Sequence, residues 1–192
     1  MKLKHLLMST VLTFCALFNS AQADENNPIV VMTTSAGVIE LELFATQAPQ
    51  SVENFLMYIN KGFYTGTIFH RVIDNFMIQG GGFTPDMTRK DTFPPIMNES
   101  MNGLANEKGT IAMARTNDPD SATSQFFINL KDNPFLNVQG RKAGYAVFGK
   151  VVSGIEIVEQ IGKTKTAALG LYRDVPVEQI VIEQIAVKTP AS

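Results

Sequence analysis

Along the chain the spacing of apolar positions changes several times, and each change predicts an element. Residues Ile29 to Thr34 and Gly37 to Phe44 read as two strands around the turn Ser35-Ala36-Gly37. In the second, Ile39, Leu41 and Leu43 take one face and Glu40 and Glu42 the other, the period of a half-buried antiparallel strand. Pro49 then opens a helix whose Val52, Phe55, Leu56 and Ile59 recur at spacings of three and four, and Gly62 closes it. Further strand-like runs, rich in aromatic and β-branched residues, cover Thr67 to Ile73, Phe76 to Gly80, Gly109 to Ala114, Ser124 to Leu130, Tyr145 to Val151 and Glu178 to Lys188. A second helix is signalled by Ser153-Gly154-Ile155-Glu156, read as a capping box, with Val158 and Ile161 before Gly162. Thr84 to Gly103, with Pro85, Pro94 and Pro95, and Lys163 to Pro176 read as loops; loops of such length often frame a binding groove. Many strands with two helices between them predict a mainly β fold, a closed antiparallel barrel or a sandwich.

Before the first strand lies a different pattern. Lys2, Lys4 and His5 precede an apolar run from Leu6 to Phe18, and Ala21-Gln22-Ala23 follows. A basic start, an apolar core too short to span a bilayer and small residues at a cleavage site describe a secretory signal, cut after Ala23. An uncleaved anchor is the alternative. The periplasm is the expected destination, and residues 24–192 form the folded domain.

That reading sharpens the composition. Of 192 residues, 169 remain after the leader, enough for one domain with a core that needs neither metal nor disulfide. The whole chain carries 16 basic and 18 acidic residues; without Lys2 and Lys4 the balance is 14 against 18, net −4, which disfavours nucleic acid as a partner. The single cysteine, Cys15, and one of the two histidines, His5, also leave with the leader. Cysteine nucleophiles, thiolate-bound zinc, structural disulfides and multi-histidine metal sites are thereby excluded from the domain. A Ser/His/Asp triad would have to use His70, and no G-x-S-x-G elbow occurs.

The densest chemistry lies in Phe69 to Thr84, FHRVIDNFMIQGGGFT, where a guanidinium, a thioether, an amide and aromatic rings fall on adjacent strands. Alternation puts Met77 and Gln79 on one face, and likewise Gln125 and Phe127. Two strands thus each offer an amide beside an apolar group, a surface suited to an extended peptide. Taken singly, these residues have plainer readings. A strand arginine usually faces solvent, Met and aromatic clusters are usually core, Phe126 on the face opposite Phe127 is core, and His70 points away from the groove.

Three motifs reverse those plain readings for the groove. FHRVIDNFMIQGGGFT, GTIAMARTNDPDSATSQFFINL from Gly109 to Leu130 and YAVFGKV from Tyr145 to Val151 make the chain resemble the cyclophilin-type peptidyl-prolyl cis-trans isomerases, most closely their bacterial periplasmic members. The resemblance covers nearly all of the domain. It implies a closed eight-stranded antiparallel β-barrel capped by two α-helices, isomerisation of X-Pro bonds, and no cofactor. It makes Arg71 the catalytic residue, with Phe76, Met77, Phe127 and Leu136 lining a proline pocket. Gln79 would orient Arg71 and the peptide, Gln125 would line the groove, and Ala114, Arg115 and Thr116 would form its edge, partly through main chain. The implied partners are proline-containing peptides and unfolded exported proteins, met by a monomer.

Three positions depart from the well-known eukaryotic members. Phe135 stands for a tryptophan, Tyr145 for a groove histidine and Arg115 for an asparagine, and the missing indole N–H implies weak inhibition by cyclosporin. Two other functions remain for test: a holdase that uses the same groove without turnover, and a secreted barrel carrying a small apolar ligand.

Overall fold

The computed structural model describes residues 27–189, so the expected leader and its cleavage site lie outside the described residues. Ten strands and two helices follow in the order β1 (Ile29–Thr34), β2 (Gly37–Leu43), α1 (Pro49–Asn60), β3 (Phe69–Ile73), β4 (Met77–Gly80), β5 (Thr110–Met113), β6 (Phe126–Asn129), β7 (Val147–Ser153), α2 (Ile155–Gly162), β8 (Thr166–Leu169), β9 (Tyr172–Pro176) and β10 (Ile182–Val187). Eight of the strands form one sheet in the order β10-β1-β2-β7-β5-β6-β4-β3, every pair antiparallel. The expected full closure is an overstatement, because the sheet curls into a half-barrel. Its edge strands meet only through the bridge Ile68–Val181 and bonds such as Phe69 N–H to the Ile180 carbonyl (3.0 Å) and Ile182 N–H to that of Thr67 (2.8 Å). β9 packs along β3 and shares that edge.

The concave side holds the main core. Ile39, Leu41 and Leu43 are fully buried, as alternation predicted. Phe55 of α1 is the hub, its ring 5.1 Å from Tyr64, 5.5 Å from Phe126 and 5.2 Å from Phe148. Truncation of such a residue to alanine costs about 3–5 kcal/mol, through lost burial and the cavity left behind. The helices close opposite ends. α1 follows the Leu43 end of β2, whereas the Ile157 side chain of α2 sits over Gly37 at its start and Gly162 lies against Leu130 at the end of β6.

Two local expectations are corrected. Ser153 does not cap α2, because it still belongs to β7; the N-cap is Gly154, at φ 82°, with no side-chain cap bond. A Cβ at Gly154 would lie 2.2 Å from the Val38 carbonyl oxygen, so the close approach of β2 dictates this left-handed turn. Lys163 to Pro176 is not a loop throughout, since β8 and β9 form a separate two-stranded hairpin turning at Gly170. Most of its residues are exposed, so no hydrophobic period announced it. The end of α1 holds a further surprise: Glu99, from the long loop, accepts the Gln50 and Ser51 amides at 2.9 and 2.8 Å, capping the helix from 48 residues away.

Candidate active site

The convex face of the same sheet carries a second apolar cluster of Met77, Ala112, Phe127 and Val147. Strand alternation creates it: Ile78, Phe126 and Ile128 point into the main core, so Met77, Gln79 and Phe127 point out. Register then sets one row of residues side by side across five strands. Arg71 of β3 opposes Gln79 of β4, Gln79 opposes Phe127 of β6, Phe127 opposes Ala112 of β5, and Ala112 opposes Val147 of β7. Cross-strand neighbours on one face lie about 4.5–5.5 Å apart, so the row places a guanidinium, an amide and an aromatic ring in sequence.

Above this row lies a hollow of about 300 Å³ lined by Arg71, Phe76, Met77, Gln79, Ala114, Arg115, Phe127, Leu136 and Tyr145, all of them expected from the sequence. Thr116 and Gln125 border an adjoining hollow of about 160 Å³, which Gln79, Ala114 and Arg115 share. Phe135 lines neither; it stands at the rim, 57% exposed, stacked on Phe76 at 5.6 Å. Gln79 donates its side-chain N–H to the Gln125 side-chain oxygen at 3.0 Å. The ion-pair partner of Arg71 is Asp174, its Nε 3.7 Å from Oδ2. Much of the edge main chain is already engaged: the Ala114 amide on the Gln125 carbonyl, the Thr116 amide on Ser121 Oγ and the Thr116 carbonyl by Arg115.

Asparagines that the sequence analysis did not single out hold the hollow in shape. Asn133 Nδ2 donates to the Phe76 carbonyl (3.0 Å) and to Asn129 Oδ1 (2.8 Å). Asn129 in turn reaches Asn106 and Thr110, and Asn106 reaches Asn137 and the Tyr145 carbonyl. These bonds fix the single 3-10 turn Pro134–Leu136, which carries Leu136 into the hollow. The loop expected at Thr84 to Gly103 does frame the site: Asn98 and Ser100 bond Gly144, and Asn102 bonds the Val147 carbonyl. Asn and Ser within a Pro-containing loop gave no sequence signal beyond turn propensity.

His70 alternates away from the groove as expected. Its ring is buried against Phe83 at 4.5 Å, with Nδ1 unpartnered. Burial foremost, with Arg71 nearby, lowers its pKa to about 4, so the ring is neutral near pH 7. The residues lining the hollow include no carboxylate, imidazole or thiol. Among the described residues no group of three or more His, Cys, Asp or Glu is gathered to hold a metal. What the hollow offers is a set of apolar side chains, the amide of Gln79 and the guanidinium groups of Arg71 and Arg115, which donate and never accept.

Comparison with known proteins agrees with this geometry. The family of cyclophilin type peptidyl-prolyl cis-trans isomerases matches residues 29–187. Peptidyl-prolyl cis-trans isomerase A of Dickeya dadantii (strain 3937) is 56% identical over 174 residues, 91% of each chain. Peptidyl-prolyl cis-trans isomerase B of Escherichia coli (strain K12) is 51% identical over 162 residues, 83% of this chain and 99% of that one. Among solved structures, a cyclophilin type peptidyl-prolyl cis-trans isomerase of Cryptosporidium parvum superposes with a TM-score of 0.75 at 29% identity, covering 86% of this chain and 99% of its own. That protein has also been solved in the presence of the dipeptide Ala-Pro.

Proposed function

The chain belongs to the cyclophilin-type peptidyl-prolyl cis-trans isomerases, and from that premise we propose that Arg71 accelerates rotation about X-Pro bonds of peptides bound along the convex face. The observation that carries this reading is the row Arg71–Gln79–Phe127 beneath a hollow that sets apolar side chains beside a guanidinium and an amide, without an acid–base pair. Rotation about a peptide C–N bond meets a barrier of about 18–20 kcal/mol because it breaks amide resonance, and no other bond forms or breaks. At the twisted transition state the prolyl nitrogen regains a lone pair and accepts a hydrogen bond that neither planar isomer accepts. A guanidinium held beside it therefore binds the transition state in preference to either ground state.

Phe76, Met77, Phe127 and Leu136 grip the proline ring while the preceding carbonyl turns. Gln79, tied to Gln125, holds the peptide chain beside them. X-Pro bonds are the substrate because their cis form lies only about 0.5–1 kcal/mol above trans. The Ala-Pro dipeptide named with the Cryptosporidium protein supports the same substrate class.

The basic and apolar leader of residues 1–23 supports export to the periplasm, where unfolded exported proteins are the clients of a monomeric enzyme. Uncatalysed exchange takes tens to hundreds of seconds, slow enough to limit their folding. Fractionation with N-terminal sequencing tests this, with Asp24 expected as the first residue of a periplasmic protein.

For the catalytic role, cis–trans exchange of a short X-Pro peptide is followed by NMR with residues 24–192 and with their Arg71→Ala variant. Large acceleration by the first and its loss in a folded variant is the expected result. A folded wild type that leaves the exchange rate unchanged while suppressing client aggregation would replace catalysis by a holdase role.

A further inference from the structure

We propose that Asp174 is a positioning residue for Arg71, a role that rests on the catalytic reading of that arginine. Arg71 lies on β3, the edge strand of the sheet, and its side chain is 43% exposed. A long side chain at such an edge has many rotamers, and rotamer freedom costs rate when one donor must meet one developing lone pair. Gln79, its neighbour in the row, donates its amide N–H to Gln125. The carboxylate of Asp174 is the group placed against the guanidinium, at Nε.

The placement suits orientation and not competition. Asp174 belongs to the hollow bounded by the β8–β9 hairpin and does not line the proline hollow, so it meets Arg71 from outside that hollow. Its Oδ2 lies 3.7 Å from Nε, an ion-pair distance longer than a hydrogen bond, on the stem side of the guanidinium, which leaves the Nη groups for the site. Its own position is fixed from both sides. Val175 and Pro176 next to it are buried, and the Tyr172 ring packs on Phe83 at 5.3 Å, which packs on His70, the neighbour of Arg71 in β3. Asp174 also has φ 60°, a left-handed conformation that non-glycine residues seldom adopt and that asparagine and aspartate tolerate best.

Both partners are more than 40% exposed, so the pair adds little to stability and its effect falls with salt. The proposal is therefore read in rate. Asp174→Asn keeps the left-handed backbone and the side-chain shape while removing the charge; Asp174→Gly relieves the backbone and removes the side chain. With X-Pro peptide exchange as the assay, both variants are expected to keep the wild-type melting temperature and KM. Their kcat is expected to fall about fivefold, and raising the salt to about 1 M should lower the wild-type kcat toward theirs. In the Arg71→Ala background Asp174→Asn should change nothing further, the signature of coupling. An Arg71→Ala enzyme as fast as wild type sinks the catalytic reading and this role together. A slow Arg71→Ala enzyme beside an Asp174→Asn variant that is equal to or faster than wild type, or beside an Asp174 effect undiminished without Arg71, overturns the positioning role alone.

Discussion

The guanidinium of Arg115 lies over the ring of Tyr145, 4.5 Å from its centroid, and donates to the carbonyls of Ala143, Gly144 and Thr116. Two of the three departures from the eukaryotic pattern are therefore one structural unit. Tyr145 in turn meets Phe127 edge-on at 5.6 Å, so the pair forms one wall of the proline hollow.

Arg115→Ala removes the cation from the ring and three charged donors from main-chain acceptors. It should cost about 2 kcal/mol of stability, measured by urea unfolding, and lower kcat/KM for X-Pro peptides about tenfold. Arg115→Lys should not restore the wall, because an ammonium lacks the planar fork that serves several carbonyls at once. Equal activity of wild type, Ala and Lys variants would show that the wall stands without this brace.

His70 gives the fold a pH dependence of definite sign. The native ring takes a proton only near pH 4, whereas an ordinary histidine does so at 6.5, so between these values the unfolded chain binds more protons. Stability is therefore full above about pH 6.5 and declines as the pH falls toward 4, by about 3 kcal/mol. Urea unfolding at pH 7 and pH 4 should show this loss in the wild type. It should be diminished in His70→Phe, which keeps a ring against Phe83 without a proton site.

Asn133 is fully buried and links the carbonyl of Phe76 to the side chain of Asn129. Asn133→Ala takes the donor from Asn129 Oδ1 and one of two donors from the Phe76 carbonyl, which keeps the Leu130 amide at 2.9 Å, and should destabilise by about 2 kcal/mol. Because the same bonds fix the turn carrying Leu136, KM should rise several-fold in the folded variant while activity at saturation persists. Urea unfolding and peptide kinetics on one preparation separate the two effects.

Phe135→Trp restores the indole N–H that the resemblance assigns to cyclosporin binding. The side chain stands exposed and stacked on Phe76, so a larger ring fits without repacking. Cyclosporin should inhibit the variant about fivefold more tightly than the wild type, as one added hydrogen bond predicts, with peptide turnover unchanged. Inhibition constants from the NMR exchange assay check this.

The sequence by itself determined most of the scaffold and the inventory of the groove. Ile39, Leu41 and Leu43 announced their strand because a period of two sorts side chains between core and solvent, and Val52, Phe55 and Ile59 announced α1 through a period near 3.6. The same alternation separated Phe126, in the core, from Phe127, in the groove. What tertiary structure decided was contact between segments far apart in the chain. No local pattern reports that Glu99 caps a helix beginning 50 residues earlier, that the Gln79 N–H meets the Gln125 side chain, or that β2 forces Gly154 to replace the capping box. Nor does any report that Asp174, in an exposed hairpin read as loop, faces Arg71. Period and propensity act over a few neighbouring residues, whereas an ion pair or a borrowed cap exists only once the folded backbone has brought its partners within a few ångströms.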